Sequence, residues 1–238
     1  MRILEVVTPV TDSDLEEGWK DWVAGATIGA AALAPQTSSA KVAPQEIPAM
    51  TKQVSTAPAT KADTDAATRL VLKPEARVLI QAARNAGMRG SELAQFIAQC
   101  AHETADFSRL KEKGGKLDFK KYDPKFNPRM ANILGNTQVG DGAKFHGRGY
   151  IQLTGRDNYR RAGQALGLPL EAQPELVENP EIAAKVAVWY WKQRVAPKVT
   201  NFSNTAQVTK PINSGLRGLE DRHVKYAGIS ALMAPKTQ

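Results

Sequence analysis

Apolar residues recur at helical spacing along most of the chain's second half. In "SELAQFIAQCAHET", residues 91 to 104, Leu93, Phe96, Ile97, Cys100, Ala101 and Thr104 share one face, which predicts an amphipathic helix with Ser91 as its cap. Glu103 falls on the flank of that apolar stripe, near the helix end. "NPEIAAKVAVWYWKQRV" carries a set of start signals: Asn179 as cap, Pro180 at the first helical position and Glu181 in the first turn. Ile182, Val186, Trp189 and Tyr190 then make it a core helix, with Trp189 and Trp191 serving packing. "RDNYRRAGQALGLP" reads as a helix closed by Gly167, and "GLRGLEDRHVKYAGISALM" as a late helix. Strand signals are few apart from Tyr150 to Leu153. The pattern predicts a fold that is α+β but mainly α.

The first third of the chain lacks such periodicity. "WVAGATIGAAALA", residues 22 to 34, is apolar throughout but short of the about 20 residues that a membrane-spanning helix needs. Acidic rather than basic residues precede it, and "MRILEVVTPV" is interrupted by Glu5 and Pro9, so no clear signal peptide is present. The expectation is a short apolar helix in an otherwise irregular extension, with residues 13–34 docking on a virion protein or a membrane surface. Residues 36–66 are rich in Ala, Thr, Ser, Lys and Pro and read as a linker. The expected division is an extension and tether over 1–66 and a globular domain over 67–238.

Composition changes this picture little, with 42% hydrophobic and 24% charged residues, both ordinary for a globular chain. Charge changes it more. Residues 1–65 hold 5 Lys and Arg against 9 Asp and Glu, whereas residues 66–238 hold 27 against 15. A domain this basic attracts polyanions: nucleic acid, anionic lipid or bacterial wall polymer. With aromatics at 6%, there is no stacking array for nucleic acid, and no specific nucleic-acid partner is expected. Cys100 is the only cysteine, so an internal disulfide and a zinc site built on cysteine pairs are both excluded.

Two carboxylates then draw attention. Glu103 and Glu112 are nine residues apart, separated by the predicted helix end and a basic turn, and either face each other across a cleft or are both solvated. Glu103, at the edge of an apolar face, is expected to titrate high; Glu112, between Lys111 and Lys113, is expected to stay ionised. Downstream, "GDGAKFHGRGYIQLTGRDNY" gathers Gly140, Gly142, Gly147, Gly149 and Gly155 around one apolar run. Gln152 and Thr154 would share one side of an extended segment there, suited to holding a hydroxylated substrate or a water.

"AHETADF", "HGRGYIQLTGRDNY", "PINSG" and "EDR" resemble, in order, the motifs of glycoside hydrolase family 19, especially its bacteriophage endolysins, over roughly residues 75 to 232. The resemblance implies a lysozyme-like fold that cleaves β-1,4 bonds beside N-acetylated sugars by an inverting mechanism. In it Glu103 matches the general acid, Glu112 the general base and Thr154 the hydroxyl that helps hold the attacking water. Gln152, Tyr150, Asn158, Asn213 and Arg222 match substrate-contacting positions. Ala105 and Asp106 depart from the family's small residues, often glycines, and Ser214 replaces a glycine after Asn213. No metal and no organic cofactor is expected, and an inverting pair needs carboxyl groups about 6.5 to 9.5 Å apart.

The implied partner is the glycan strand of bacterial peptidoglycan, cut between N-acetylmuramic acid and N-acetylglucosamine. The implied setting is the host cytoplasm and then the periplasm or cell wall during lysis, or else carriage in the virion. Chitin is the alternative substrate, and an inactive wall-binding or virion structural protein the non-enzyme alternative. A zinc peptidase is disfavoured because Asp106 stands where His-Glu-x-x-His needs its second histidine. A cysteine peptidase is disfavoured because Cys100 lies on the apolar stripe.

Overall fold

The computed structural model describes residues 58–213 and 215–234. The apolar segment 22–34, the docking segment 13–34 and Ser214 lie outside those residues. The chain forms helices α1 (Lys61–Val71), α2 (Pro74–Asn85), α3 (Gly90–Glu103), α4 (Pro128–Leu134), α5 (Asp141–Lys144) and α6 (Arg156–Leu166). It continues with α7 (Pro180–Tyr190), α8 (Thr205–Thr209) and α9 (Leu219–Met233). The mainly helical expectation holds.

The centre of the fold is α3, whose residues from Leu93 to Ala101 are all buried. A helix buried on every side needs partners on every side. It packs against α2, α8 and α9, while α9 also packs on α1 and α2 on α7. Its buried amides find hydroxyls on α8: Gln95 Nε2 donates to Thr205 Oγ1 at 2.9 Å and Gln99 Nε2 to Thr209 Oγ1 at 3.1 Å. Phe96 meets Trp191 edge to face at 5.2 Å, in the π-helical turn Trp191–Val195 that follows α7. Trp191 is therefore a core residue, its indole N–H donating to Glu92 Oε1 at 3.1 Å. A second cluster, Phe145, Leu153, Tyr159, Leu170, Val177 and Val186, joins α6 to α7.

Three local expectations are corrected. Residues 61–66, read as linker, are the first turns of α1, which Thr60 and Asp63 close reciprocally as a capping box. The helix stands because Ala67 and Leu70 are buried and Gly228 lets α9 approach the backbone at Asp63. Ser91 is not a cap, since Arg89 occupies that position without a side-chain bond and Ser91 Oγ instead meets Ser203 Oγ at 3.3 Å. The run from Tyr150 to Leu153 is not a strand. Arg148 N–H donates to Leu153 O and Leu153 N–H to Arg148 O, at 3.2 and 2.8 Å, closing a tight turn in which Gln152 takes φ +50°. Gln152 and Thr154 therefore do not share the side of an extended segment. Among the described residues, β structure is limited to the isolated bridges Lys111↔Arg148 and Arg148↔Leu153.

The chain leaves α3 through Ala105, Asp106 and Phe107, with φ of 49°, 59° and 60°. Three consecutive non-glycine residues in the left-handed region carry backbone strain, which explains why small residues suit these positions. The turn is held by Asp106 N–H to Ala101 O at 2.7 Å and by Lys73 Nζ to Asp106 O at 2.6 Å. Ala105→Gly should therefore stabilise the protein by about 1 kcal/mol, a rise in Tm of about 2–4 °C. A calorimetric Tm at or below wild type would show the turn to be unstrained.

Candidate active site

Glu103 is the last residue of α3. Its Oε1 accepts from Nη2 of Arg222 at 2.5 Å. Arg222, in the first turns of α9, is 1% exposed and spends its guanidinium inside the protein: Nη1 donates to Gln99 Oε1 and Nε to Arg217 O at 3.3 Å. The Glu103 side chain retains 23% exposure. It borders a small enclosed cavity with Gln99, Cys100, Ile151, Tyr190 and Ile212. Its surroundings are thus apolar on one side and cationic on the other, rather than apolar alone. Neighbouring His102 turns away, its Nδ1 2.6 Å from Asp221 Oδ2. Asp221 is held below the usual carboxylate range: burial works the other way, but hydrogen bonds from Lys225 and His102 outweigh it.

Glu112 lies in a segment zipped to the glycine-rich stretch. Its N–H donates to Gly147 O at 2.9 Å, and Gly149 N–H donates to Leu110 O at 2.7 Å. The carboxylate accepts three donors: Lys121 Nζ and Tyr122 OH on Oε1, each at 3.0 Å, and Gly147 N–H on Oε2 at 3.0 Å. The expectation that flanking lysines serve Glu112 needs correction. Lys111 pairs with Glu178 at 2.9 Å, and the cation at Glu112 is Lys121, nine residues on. Lys121 and Tyr122 come from the 3-10 turn Asp118–Tyr122, which Phe119 anchors by stacking on His146 at 4.3 Å.

The stretch 147–153 borders both glutamates. Ile151 faces the Glu103 cavity, and Gly147 and Gln152 stand against Glu112. Arg148 pins the turn from behind, with Nε to Glu178 Oε1 at 2.9 Å and Nη1 to Tyr159 OH at 3.1 Å. Gln152 is half-buried and Asn158 half-exposed at this turn, and the side chain of each also holds backbone: Gln152 Nε2 donates to Gly149 O at 3.0 Å and Asn158 Nδ2 to Thr154 O at 2.8 Å. Thr154 is 4% exposed, and its hydroxyl donates to Gln152 O at 2.8 Å. Half-buried Asn213 uses Oδ1 to accept from Arg217 N–H at 3.3 Å, shaping the turn that leads into α9.

Two expected substrate contacts are corrected. Tyr150 is fully buried, edge to face with Phe107, its hydroxyl donating to Glu75 O at 2.8 Å, so it packs the core beneath the turn. Arg222 is likewise sealed from any ligand and orients Glu103 instead. Cys100 is buried, and desolvation pushes its thiol up, away from a nucleophilic thiolate. Lys121, Tyr122 and Gln99 escaped sequence reasoning. Their neighbours are polar residues of a loop and the back of a helix, and no periodicity marks them.

A family model described as chitinase class I, of glycoside hydrolase family 19, matches residues 75–214. A glycosyl hydrolase family 19 domain-containing protein of Haemophilus influenzae is 36% identical over 158 aligned positions, covering 57% of this chain and 77% of that one. An acidic 27 kDa endochitinase of Solanum lycopersicum is 38% identical over 104 positions, 43% of this chain but only 37% of that protein. Chitinase C from Streptomyces griseus HUT6037 superposes with a TM-score of 0.52 at 25% identity, covering 73% of this chain and 91% of that chain. A bacterial family 19 chitinase at 23% identity, with a TM-score of 0.51, shares the fold over 73% and 94%. The mainly helical fold is lysozyme-like, and the chain belongs to glycoside hydrolase family 19.

Proposed function

We propose that this glycoside hydrolase cleaves the β-1,4 bond between N-acetylmuramic acid and N-acetylglucosamine in peptidoglycan, with inversion at the anomeric carbon. The observation that carries the reading is a pair of carboxylates in unlike surroundings that both border the stretch 147–153. Glu112 accepts hydrogen bonds from three donors, one of them a cation, and is the base. Glu103 has Oε1 fixed by Arg222, so Oε2 is the oxygen that delivers a proton to the leaving sugar. Thr154 donates its hydroxyl to Gln152 O and so supports the turn that presents Gln152, rather than holding the water directly.

The choice of polymer rests on charge. Residues 66–238 carry 27 Lys and Arg against 15 Asp and Glu, which suits a wall polymer bearing lactyl and peptide carboxylates better than neutral chitin. Chitin is the second reading, supported by the endochitinase relatives. Action in a phage setting, either at host lysis or from the virion, is the role in which we place the enzyme, with residues 13–34 as its docking segment.

Glu103→Gln and Glu112→Gln should each lower glycan cleavage by about 10²–10⁴-fold while leaving Tm within a few degrees. Near-wild-type release of reducing muramic acid from sacculi, read by mass spectrometry, would reject the assignment. Hydrolysis of sacculi should also fall several-fold between about 0.05 and 0.5 M salt, whereas cleavage of neutral chitin oligosaccharides should change little. Faster turnover of chitin than of sacculi at low salt would favour the chitinase reading.

A further inference from the structure

The proton-accepting oxygen of the base can be named by counting its bonds. A carboxylate oxygen offers two acceptor sites. Both sites of Glu112 Oε1 are filled, by Lys121 Nζ and Tyr122 OH at 3.0 Å each. Among the described residues Oε2 accepts only Gly147 N–H, at 3.0 Å, which leaves one of its sites open. A Cβ on Gly147 would lie 3.1 Å from Glu112 Oε2 and 3.0 Å from Gln152 Oε1, so both oxygens face the space that this glycine leaves empty. The Gln152 amide is oriented by its own Nε2 bond to Gly149 O at 3.0 Å, which turns Oε1 toward that space.

We propose that Lys121 and Tyr122 are positioning residues that saturate Oε1 of Glu112, so that Oε2, over the open face of Gly147, takes the proton from the attacking water. This rests on Glu112 being the base. In the reaction, the water O–H bond breaks toward Oε2 as the oxygen bonds to the anomeric carbon, and the glycosidic C–O bond breaks as Glu103 protonates the leaving oxygen.

The two donors are well placed to be permanent. The Tyr122 ring is buried, and its hydroxyl is pushed up to about 12, first by burial and then by the Glu112 charge, so it stays a neutral donor throughout the working range. Lys121 also stays charged: burial opposes its ammonium, but its contacts with Glu112 and Tyr122 together outweigh that. Their turn is fixed from outside the site by the Phe119–His146 stack and by Asn136 Nδ2 to Tyr122 O at 2.8 Å. Gly142 allows the backbone of that turn to approach α5.

The test uses the full chain acting on sacculi. Tyr122→Phe keeps the ring, and Lys121→Met keeps the length of an exposed side chain, so both should fold with wild-type Tm. Each should lower kcat about tenfold with KM within about twofold. Removing the cation in Lys121→Met should move the acid limb of the kcat/KM profile up by about half a pH unit, and Lys121→Arg should restore it. Gly147→Ala, whose backbone is not in the left-handed region, should likewise lower kcat by crowding both oxygens. The proposal is overturned by wild-type kcat and an unmoved acid limb, by loss confined to KM, or by loss of activity that merely tracks a fallen Tm. An inactive Glu112→Gln beside a normal Tyr122→Phe sinks the positioning role alone. An active Glu112→Gln sinks the assignment of the base itself.

Discussion

The buried guanidinium of Arg222 is the constraint on which this molecule turns. A cation with 1% exposure survives only if its donors are matched, and Arg222 meets Gln99, Glu103 and Arg217 O at once. Gln99 and Glu103 are one turn apart on α3, so a single side chain of α9 clamps the end of the central helix. Glu103 is therefore as immobile as the core that carries it.

Glu112 is held by a different kind of scaffold. It sits on no helix; backbone bridges to residues 147 and 149 and three donors to its carboxylate replace helical support. The turn 148–153 is what relates the two groups, because Ile151 lines the cavity of Glu103 while Gly147 and Gln152 border Glu112. Buried Tyr150 and Arg148 anchor that turn to α2 and to the second core, through Glu75 O and through Glu178 and Tyr159. An inverting hydrolase depends on a fixed gap for one water and one sugar, so precision must come from such a shared element. Tyr150 and Arg222, which a motif reading assigns to substrate, instead hold this turn and the Glu103 carboxylate.

The helices were legible because burial leaves a period. Asn179, Pro180 and Gly167 mark their ends as the sequence signals require, and the apolar stripe of α3 is buried throughout. The start of α1 was missed because "KADTDA" is polar in composition, although Thr60 and Asp63 carry the capping pattern. The turn at Tyr150 to Leu153 was misread because apolar residues buried in a tight turn look like a short strand. Ala105 and Phe107 adopt left-handed conformations that nothing in their side chains favours, and the packing around α3 imposes them.

By itself the sequence determined the helical fold and the family, and it drew attention to two glutamates, since periodicity, caps and ordered motifs are local properties of the chain. Tertiary structure alone decided what surrounds those glutamates. Lys121 rather than Lys111 reaches Glu112, Arg222 faces Glu103 rather than a sugar, and Tyr150 turns into the core. Hydrogen bonding and charge pairing act over a few ångströms in space and ignore distance along the chain. Partners 119 residues apart, such as Glu103 and Arg222, become neighbours only when the helices pack.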